Sequence, residues 1–190
     1  AILYLSIYGQ ELYESKQWKK AGAISEVYTR ILMRGRSRDG IHGALRARFY
    51  ADFSQGMVLL EKEQREQAIA KLDTARQLIP GDGSLADAFF PALRNAGIDK
   101  HYNLWFEESY RHVDAACQLY PDSHNSRNTI AWLAARAVRR LDDAQRHSEV
   151  ALKIRPHQGA YLDTMAEVWF AKGNREKAVE WSKKAVANSI

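Results

Sequence analysis

Glu108 and His112 are the residues of this sequence whose types and spacing best match a metal-binding motif. They stand at i and i+4, so on a predicted helix both side chains would lie on one face and could share a divalent ion. His101 and His124 are the nearby additions, and no HExxH pattern or second ligand pair completes the set. We therefore expect His112 to be hydrogen-bonded or solvated, and we expect no metal and no cofactor.

Two acidic motifs have structural explanations that need no chemistry. Asp142 and Asp143 are paired carboxylates, but they open a predicted helix, where the helix dipole favours acidic side chains. The segment 81–83, Gly-Asp-Gly, follows Pro80 and reads as a turn, and its acidic series stops too early for an EF-hand. Phosphate-binding patterns of the GxxxxGK[ST] and GxGxxG types do not occur in the sequence. We predict no catalytic residues and a protein that is not an enzyme.

Cys117 is the single cysteine, which excludes an intrachain disulfide and a cysteine metal cluster. It falls in an apolar helical pattern with Val113 and Ala116. We expect it to be a small buried hydrophobic residue and not a nucleophile.

Positive charge is concentrated in one stretch. The chain has 28 Lys and Arg against 23 Asp and Glu, a net charge of +5. Between positions 30 and 48 six arginines face one aspartate, namely Arg30, Arg34, Arg36, Arg38, Arg46 and Arg48 against Asp39. Such a block could meet phosphate or an acidic protein, although a solvated surface is the more frequent meaning of this pattern.

The composition is that of a globular protein. Of the 190 residues, 46% are hydrophobic and 27% are charged, enough for one domain or one array of repeats. No apolar run approaches the ~18–20 residues of a membrane span, and no signal peptide is visible. Both ends of the sequence lie in helical patterns without caps, so we expect a fragment of a longer protein.

The last 32 residues, GAYLDTMAEVWFAKGNREKAVEWSKKAVANSI, predict two short amphipathic helices joined by a tight turn. Leu162, Met165 and Trp169 share one helix face, and Gly173 then breaks the pattern. Small residues at Ala166 and Ala178 would allow the two helices to approach closely. Because neither helix can bury its apolar stripe alone, the pair is expected to recur along the chain.

The same spacing recurs four times before this pair. The predicted repeats are 2–33, 41–80, 84–121, 122–156 and 157–190, and Pro80, Pro121 and Pro156 each close one of them. The third repeat departs most, because Pro91 falls inside its first helix and Ser109 takes the place of an alanine. Ser84 is the expected N-cap of that helix, and the glycine-rich segment 34–43 is the expected loop. We predict ten helices, at 2–14, 18–33, 41–62, 65–78, 84–96, 102–119, 126–137, 141–154, 159–171 and 175–188.

These residues resemble the tetratricopeptide repeat (TPR) family, whose unit is a helix pair of about 34 residues. The matching positions are Gly9, Leu12 and Ala21; Gly56, Leu59, Ala68, Ala75 and Pro80; Ala131, Ala144, Ala151 and Pro156; and Ala166, Trp169, Ala178 and Ala185. The resemblance covers about four-fifths of the chain, and tyrosine replaces a small residue at Tyr28. It implies an all-α, right-handed superhelix of about five helix pairs, forming a single repeat array over the chain.

In such repeats the first helix of each pair lines a concave groove. The residues expected to line it are Tyr50, Phe53, Met57, Asn125, Asn128, Trp132, Asp163, Glu167 and Phe170. An aromatic and amide-lined groove suits an extended peptide or a helix. We expect Trp132 and Tyr50 to anchor such a ligand, with Asn125 and Asn128 holding its backbone. The alternatives are that Trp132 is a core residue, or that another part of the same protein fills the groove.

The sequence thus predicts a non-enzymatic scaffold for protein–protein interaction, with a protein or peptide as its partner. Because Asp163 and Glu167 occupy groove positions, the clamp by which the family binds acidic C-terminal peptides is not expected. The alternative function is a nucleic-acid-binding α-solenoid that uses the stretches Arg30–Arg48 and Arg136–Arg146. Solenoids that read RNA need regular polar pairs in each repeat, and none is present, so nucleic acid is the less favoured partner.

Overall fold

The computed structural model describes residues 2–34 and 38–189, and every regular element within them is helical. The elements are α1 Ile2–Glu14, α2 Trp18–Arg34, α3 Arg38–Glu61, α4 Arg65–Gln77, a π-helical turn Leu85–Phe89 continued by α5 Phe90–Asn95, α6 Asp99–Leu119, α7 His124–Ala137, α8 Leu141–Ile154, α9 Gly159–Ala171 and α10 Arg175–Ala187. The helices form five sequential pairs, and the two members of each pair pack against each other. The prediction of an all-α fold built from about five helix pairs is confirmed.

A residue with positive φ lies in the turn inside each pair. These residues are Lys16, Glu63, Gly97, Val138 and Gly173, with a second one at Arg140 in the fourth pair. The left-handed conformation turns the chain away from the first helix and lets the second helix pack back against it. Glycine adopts this conformation without strain, whereas the β-branched Val138 does not.

The small residues that revealed the repeat are buried between helices. Ala68, Ala75, Ala144 and Ala151 have no exposed surface, and Ser109 in the third pair is 1% exposed. Small side chains at these positions bring the two helix backbones of a pair close together. The repeat register read from the sequence is therefore the register of the packing.

The predicted loop 34–43 is largely wrong, since α3 begins at Arg38 and runs through two of its glycines. A close approach between α2 and α3 explains Gly43 in α3 and Gly22 in α2. A Cβ at Gly43 would lie 3.3 Å from Leu32 Cδ1, and one at Gly22 would lie 3.3 Å from Ser54 Cβ. Residues 35–37 lie outside the described part of the chain.

The third pair is irregular where Pro91 was expected to disturb it. The chain forms a π-helical turn directly before Pro91, which then sits at the start of α5, where its missing N–H does no harm. Ser84 stands at the N-cap position as predicted, but its backbone angles are helical and its side chain makes no capping hydrogen bond. Asp82 Oδ1 instead accepts a 2.8 Å hydrogen bond from the Ser84 N–H.

The chain divides into two compact units, Ala1–Pro80 and Gly81–Ile190. In the N-terminal unit an aromatic cluster joins α1, α2 and α3. Tyr13 packs edge-on against Trp18 and Tyr50, with ring centroids 5.3 and 5.4 Å apart, and Phe49 stacks on Phe53 at 5.7 Å.

A buried ion-pair cluster joins α3 and α4 in the same unit. Asp52 is 1% exposed. Its carboxylate accepts hydrogen bonds from Arg48 one turn earlier, at 2.8 and 3.0 Å, and pairs with Lys71 of α4 at 2.6 Å. Two cations around one buried carboxylate satisfy its acceptors and fix the contact between the two helices.

The C-terminal unit has a second aromatic core, formed by Phe89, Phe90, Tyr102, Trp105 and Phe106. The Tyr102 hydroxyl crosses to the next pair and donates a buried 2.9 Å hydrogen bond to the carbonyl oxygen of Ala137. That carbonyl is one of those left free at the end of α7. The third and fourth pairs are therefore joined by a polar contact as well as by packing.

Candidate functional site

Three side chains of α7 form a stripe on one helix face in the C-terminal unit. Asn128, Trp132 and Arg136 follow one another at intervals of four residues, which places them on neighbouring turns of the same side. Trp132 is half-buried, and its Nε1 donates a 2.7 Å hydrogen bond to Oδ1 of Asp87 on the π-helical turn. The ring is thus held in one orientation with part of its surface open.

Arg136 connects this stripe to α9. Its Nη1 donates a 2.9 Å hydrogen bond to Oε1 of Glu167, and its guanidinium carbon lies 5.5 Å from the centroid of the Trp132 ring. The contact with the ring is within the range of a cation–π interaction. The first helices of the third, fourth and fifth pairs are therefore linked by side chains at their surface.

Two polar atoms on the stripe are buried without a hydrogen-bond partner in the described part of the protein. They are Asn128 Oδ1 and Arg136 Nε. Leaving such a group unpaired costs ~1–3 kcal/mol, and here an acceptor and a donor are buried unpaired on either side of one tryptophan.

Two further predicted residues project from α9 beside Glu167. Asp163 and Phe170 are exposed, Phe170 to 61%, and their spacing from Glu167 keeps all three on one side of the helix. The name α7–α9 face is used below for the surface of Asp87, Asn128, Trp132, Arg136, Asp163, Glu167 and Phe170. Among these residues three carboxylates accompany one cation, so the face is acidic.

Asn125, predicted to hold the backbone of a ligand, has its side-chain oxygen engaged within the protein. The hydroxyl of Tyr161 on α9 donates a hydrogen bond to Asn125 Oδ1, and His124 Nδ1 contacts the same hydroxyl. Burial raises the pKa of Tyr161, which keeps the hydroxyl protonated as a donor. The Asn125 carbonyl oxygen is therefore engaged in joining α7 to α9.

The three predicted groove residues of the second repeat lie in the N-terminal unit. Phe53 is fully buried in the aromatic cluster, so it is a core residue and not a surface for a ligand. Tyr50 is half-buried and packs against Tyr13 and Phe49. Met57 is half-buried as well. Phe53 contacts Tyr13 of α1 and Trp18 of α2, and spacing along one helix does not reveal such contacts.

The arginines of the second basic stretch are engaged with partners in the C-terminal unit. Arg140 donates two hydrogen bonds to Glu107, at 3.1 and 2.7 Å, and Arg146 pairs with Asp143. Arg139 donates a 3.0 Å hydrogen bond to Asn103. The two pairings with carboxylates, at Arg140 and Arg146, lower the positive charge available to a phosphate backbone.

The remaining candidates for chemistry do not come together as a cluster in the described residues. No three His, Cys, Asp or Glu side chains there come together as metal ligands would. Cys117 is a buried free thiol, as predicted, and burial raises its pKa. None of the described helices is long and apolar enough to cross a bilayer.

The sequence interpretation missed Asp87 and Arg136 as parts of this site. Arg136 had a usable signal, because it continues the four-residue spacing of Asn128 and Trp132. Asp87 had no signal in the sequence, because its contact with Trp132 spans 45 positions of the chain.

No protein-family model matches the chain, and no curated protein matches it. Among solved structures it is similar to one described as "YrrB: a TPR protein with an unusual peptide-binding site", with 17% identity, 99% of this chain and 86% of that chain covered, and a TM-score of 0.42. It is also similar to MamA of AMB-1, with 15% identity, 98% and 90% coverage and a TM-score of 0.40. MamA of MSR-1 matches with 14% identity, 99% and 96% coverage and a TM-score of 0.37.

Proposed function

We propose that this protein is a non-enzymatic scaffold that binds an extended peptide segment of a partner protein on the α7–α9 face. The supporting observation is the pair of unpaired polar atoms, Asn128 Oδ1 and Arg136 Nε, on either side of Trp132. One is an acceptor and the other a donor, which is the complement of a peptide N–H and a peptide C=O.

The spacing suits an extended chain. Arg136 lies eight positions after Asn128 on the helix, about 12 Å at 1.5 Å per residue. An extended peptide rises ~3.3 Å per residue, so groups three or four residues apart would reach both atoms. The peptide would lie over Trp132, and small rotations of the two side chains would bring their polar atoms to it.

The charges on the α7–α9 face indicate which peptide sequences would bind there. Asp163 is exposed, Asp87 accepts a hydrogen bond from a neutral indole N–H, and Glu167 shares its charge with Arg136. A ligand with Lys or Arg beside an apolar residue would pair with the carboxylates and stack on Trp132. The same acidity disfavours the nucleic-acid alternative at this face.

The test is to select binders from a displayed library of random peptides and to measure one of them against matched variants. Asn128→Ala should weaken binding about tenfold while leaving stability unchanged or higher, because it removes an unsatisfied buried acceptor. Arg136→Lys keeps the ion pair with Glu167 but removes Nε–H, and it should weaken binding similarly. Lys183→Ala on the exposed side of α10 is the control. Binding that none of the α7 variants alters would place the peptide elsewhere and end this proposal.

A further inference from the structure

A second site lies in the C-terminal unit, independent of the α7–α9 face. An open cleft of about 520 Å³ is formed by α8, α9 and α10. Its size is within the ~300–1,000 Å³ typical of ligand pockets. The name Trp169–Trp181 cleft is used for it, after the two tryptophans that line it.

The apolar part of the cleft is held by the protein core. Leu152 and Met165 belong to a buried cluster that also includes Tyr161 and Leu162, and both tryptophans pack partly exposed against that cluster. The rings are therefore supported from below and open on one side. Tryptophan and methionine in such a setting offer an adaptable surface for a large apolar side chain.

Two lysines and two glutamates line the cleft, Lys153 and Lys177 with Glu149 and Glu180. Glu180 is paired with Lys184 at 2.6 Å, and Lys184 and then Lys177 lower its pKa. Glu149 keeps its negative charge and accepts a 2.8 Å hydrogen bond from the neutral amide of Gln145. Lys153 and Lys177 have no carboxylate within ion-pair distance in the described part of the chain. The Lys177 ammonium instead lies 4.0 Å from the centre of the Trp169 ring. Two ammonium groups beside an aromatic floor are complementary to carboxylates flanking an apolar residue.

The cleft and the α7–α9 face use different sides of α9. Met165 and Trp169 line the cleft, whereas Asp163 and Glu167 lie on the face. At 3.6 residues per turn, the direction of Met165 and Trp169 is rotated by roughly 200° from that of Asp163 and Glu167. A ligand could occupy either site without contacting the other.

We propose that the Trp169–Trp181 cleft binds an acidic peptide segment that inserts one large apolar side chain between the tryptophans and pairs its carboxylates with Lys153 and Lys177. This inference does not depend on the proposed function of the α7–α9 face, whose charge is of the opposite sign. The two sites together would let one chain hold a basic and an acidic segment at once.

The experiment uses a fluorescein-labelled, capped hexapeptide in which phenylalanine and leucine stand between two pairs of glutamates. Fluorescence polarisation with the whole chain should show saturable binding, and the same peptide with lysines in place of the glutamates should bind at least tenfold more weakly. The double variant Lys153→Glu/Lys177→Glu should lose at least tenfold in affinity for the glutamate peptide. It should also reverse the preference between the two peptides.

The matched control is Lys19→Glu/Lys183→Glu, which changes net charge equally at two exposed positions outside the cleft. It should retain wild-type affinity, and so should Trp132→Ala on the α7–α9 face. Absence of binding to the glutamate peptide, equal binding of both peptides, or equal loss in the control variant would each overturn the proposal. Failure here leaves the α7 variants of the previous section unaffected, so the two sites are tested separately.

Discussion

The Nε1 of Trp132 donates a 2.7 Å hydrogen bond to Oδ1 of Asp87, so a carboxylate on the π-helical turn orients the indole ring presented by α7. The relationship combines the two roles considered for Trp132. The ring is partly open to a ligand, and it also ties the fourth pair to the third.

A double-mutant cycle measures what this hydrogen bond contributes to stability. Trp132→Phe keeps a ring but removes the donor, and Asp87→Ala removes the acceptor; each should lower the free energy of unfolding by about 1 kcal/mol. The double variant should lose much less than the sum, because both single changes break one bond. Urea unfolding gives the values. Strictly additive losses would show that the bond contributes nothing to stability.

Gly56→Ala should destabilise the N-terminal unit. A Cβ at this position would lie 2.7 Å from Leu72 Cγ and 2.8 Å from its Cδ2, and Leu72 is fully buried. Overpacking of this kind costs ~1–3 kcal/mol. The matched control is Gly83→Ala, whose Cβ would meet nothing within 4 Å and which should be neutral or slightly stabilising. Equal urea midpoints for the two variants would contradict the close packing of α3 on α4.

Acidification from pH 7 to pH 5 should weaken the C-terminal unit through His147. Burial and then the Arg127 cation lower the pKa of His147, while the carboxylates of Asp114 and Asp143 oppose the shift. Its Nδ1 lies 3.2 Å from Arg127 Nη1, so the neutral ring accepts that hydrogen bond.

The sign of this pH effect on stability follows from the lowered pKa of His147. Between the folded pKa and the unfolded value near 6.5, the unfolded chain binds more protons at this residue, so stability rises with pH. The stability that neutral His147 contributes is fully present above its pKa in the unfolded chain. It is lost as the pH falls through the pKa of His147 in the folded protein. His147→Gln should flatten the urea midpoint between pH 7 and pH 5. An unchanged slope in that variant would assign the acid sensitivity to other groups.

Val138→Asn should stabilise the protein. Val138 ends α7 with φ 54°, a left-handed conformation that costs a β-branched residue ~1–2 kcal/mol and that asparagine tolerates. The side chain is 40% exposed, so little apolar burial is lost. We expect a rise of about 2–4 °C in the melting temperature. Val150→Asn, at a similarly exposed position inside α8, is the control and should show no rise.

Nucleic acid should bind weakly, without sequence preference, and with strong dependence on salt. The arginines at 136, 140 and 146 already pair with carboxylates. A labelled duplex measured by polarisation at 50 and 200 mM salt should lose most of its affinity at the higher concentration, since the contacts would be to phosphates. Sequence-selective binding that survives physiological salt would favour the nucleic-acid alternative over peptide binding.

The sequence determined the helix pairs and their register. Buried alanines such as Ala68 and Ala144 recur with the period of a helix, and local spacing alone shows which face of each helix meets its partner. The same spacing predicts that Asn128, Trp132 and Glu167 lie on the first helices of their pairs. Their shared face could be predicted because neighbouring turns of a helix point the same way.

Tertiary structure alone decided which of these positions are open. Phe53 follows the same spacing rule as Trp132, yet contacts from α1 and α2 bury it completely. Trp132 owes its orientation to Asp87, and Asp52 owes one of its two cations to Lys71 on another helix. Such contacts join residues far apart in the chain, and no periodicity within one helix encodes them. Periodicity specifies the side of a helix on which a residue lies, while burial and pairing depend on what the rest of the chain places opposite it.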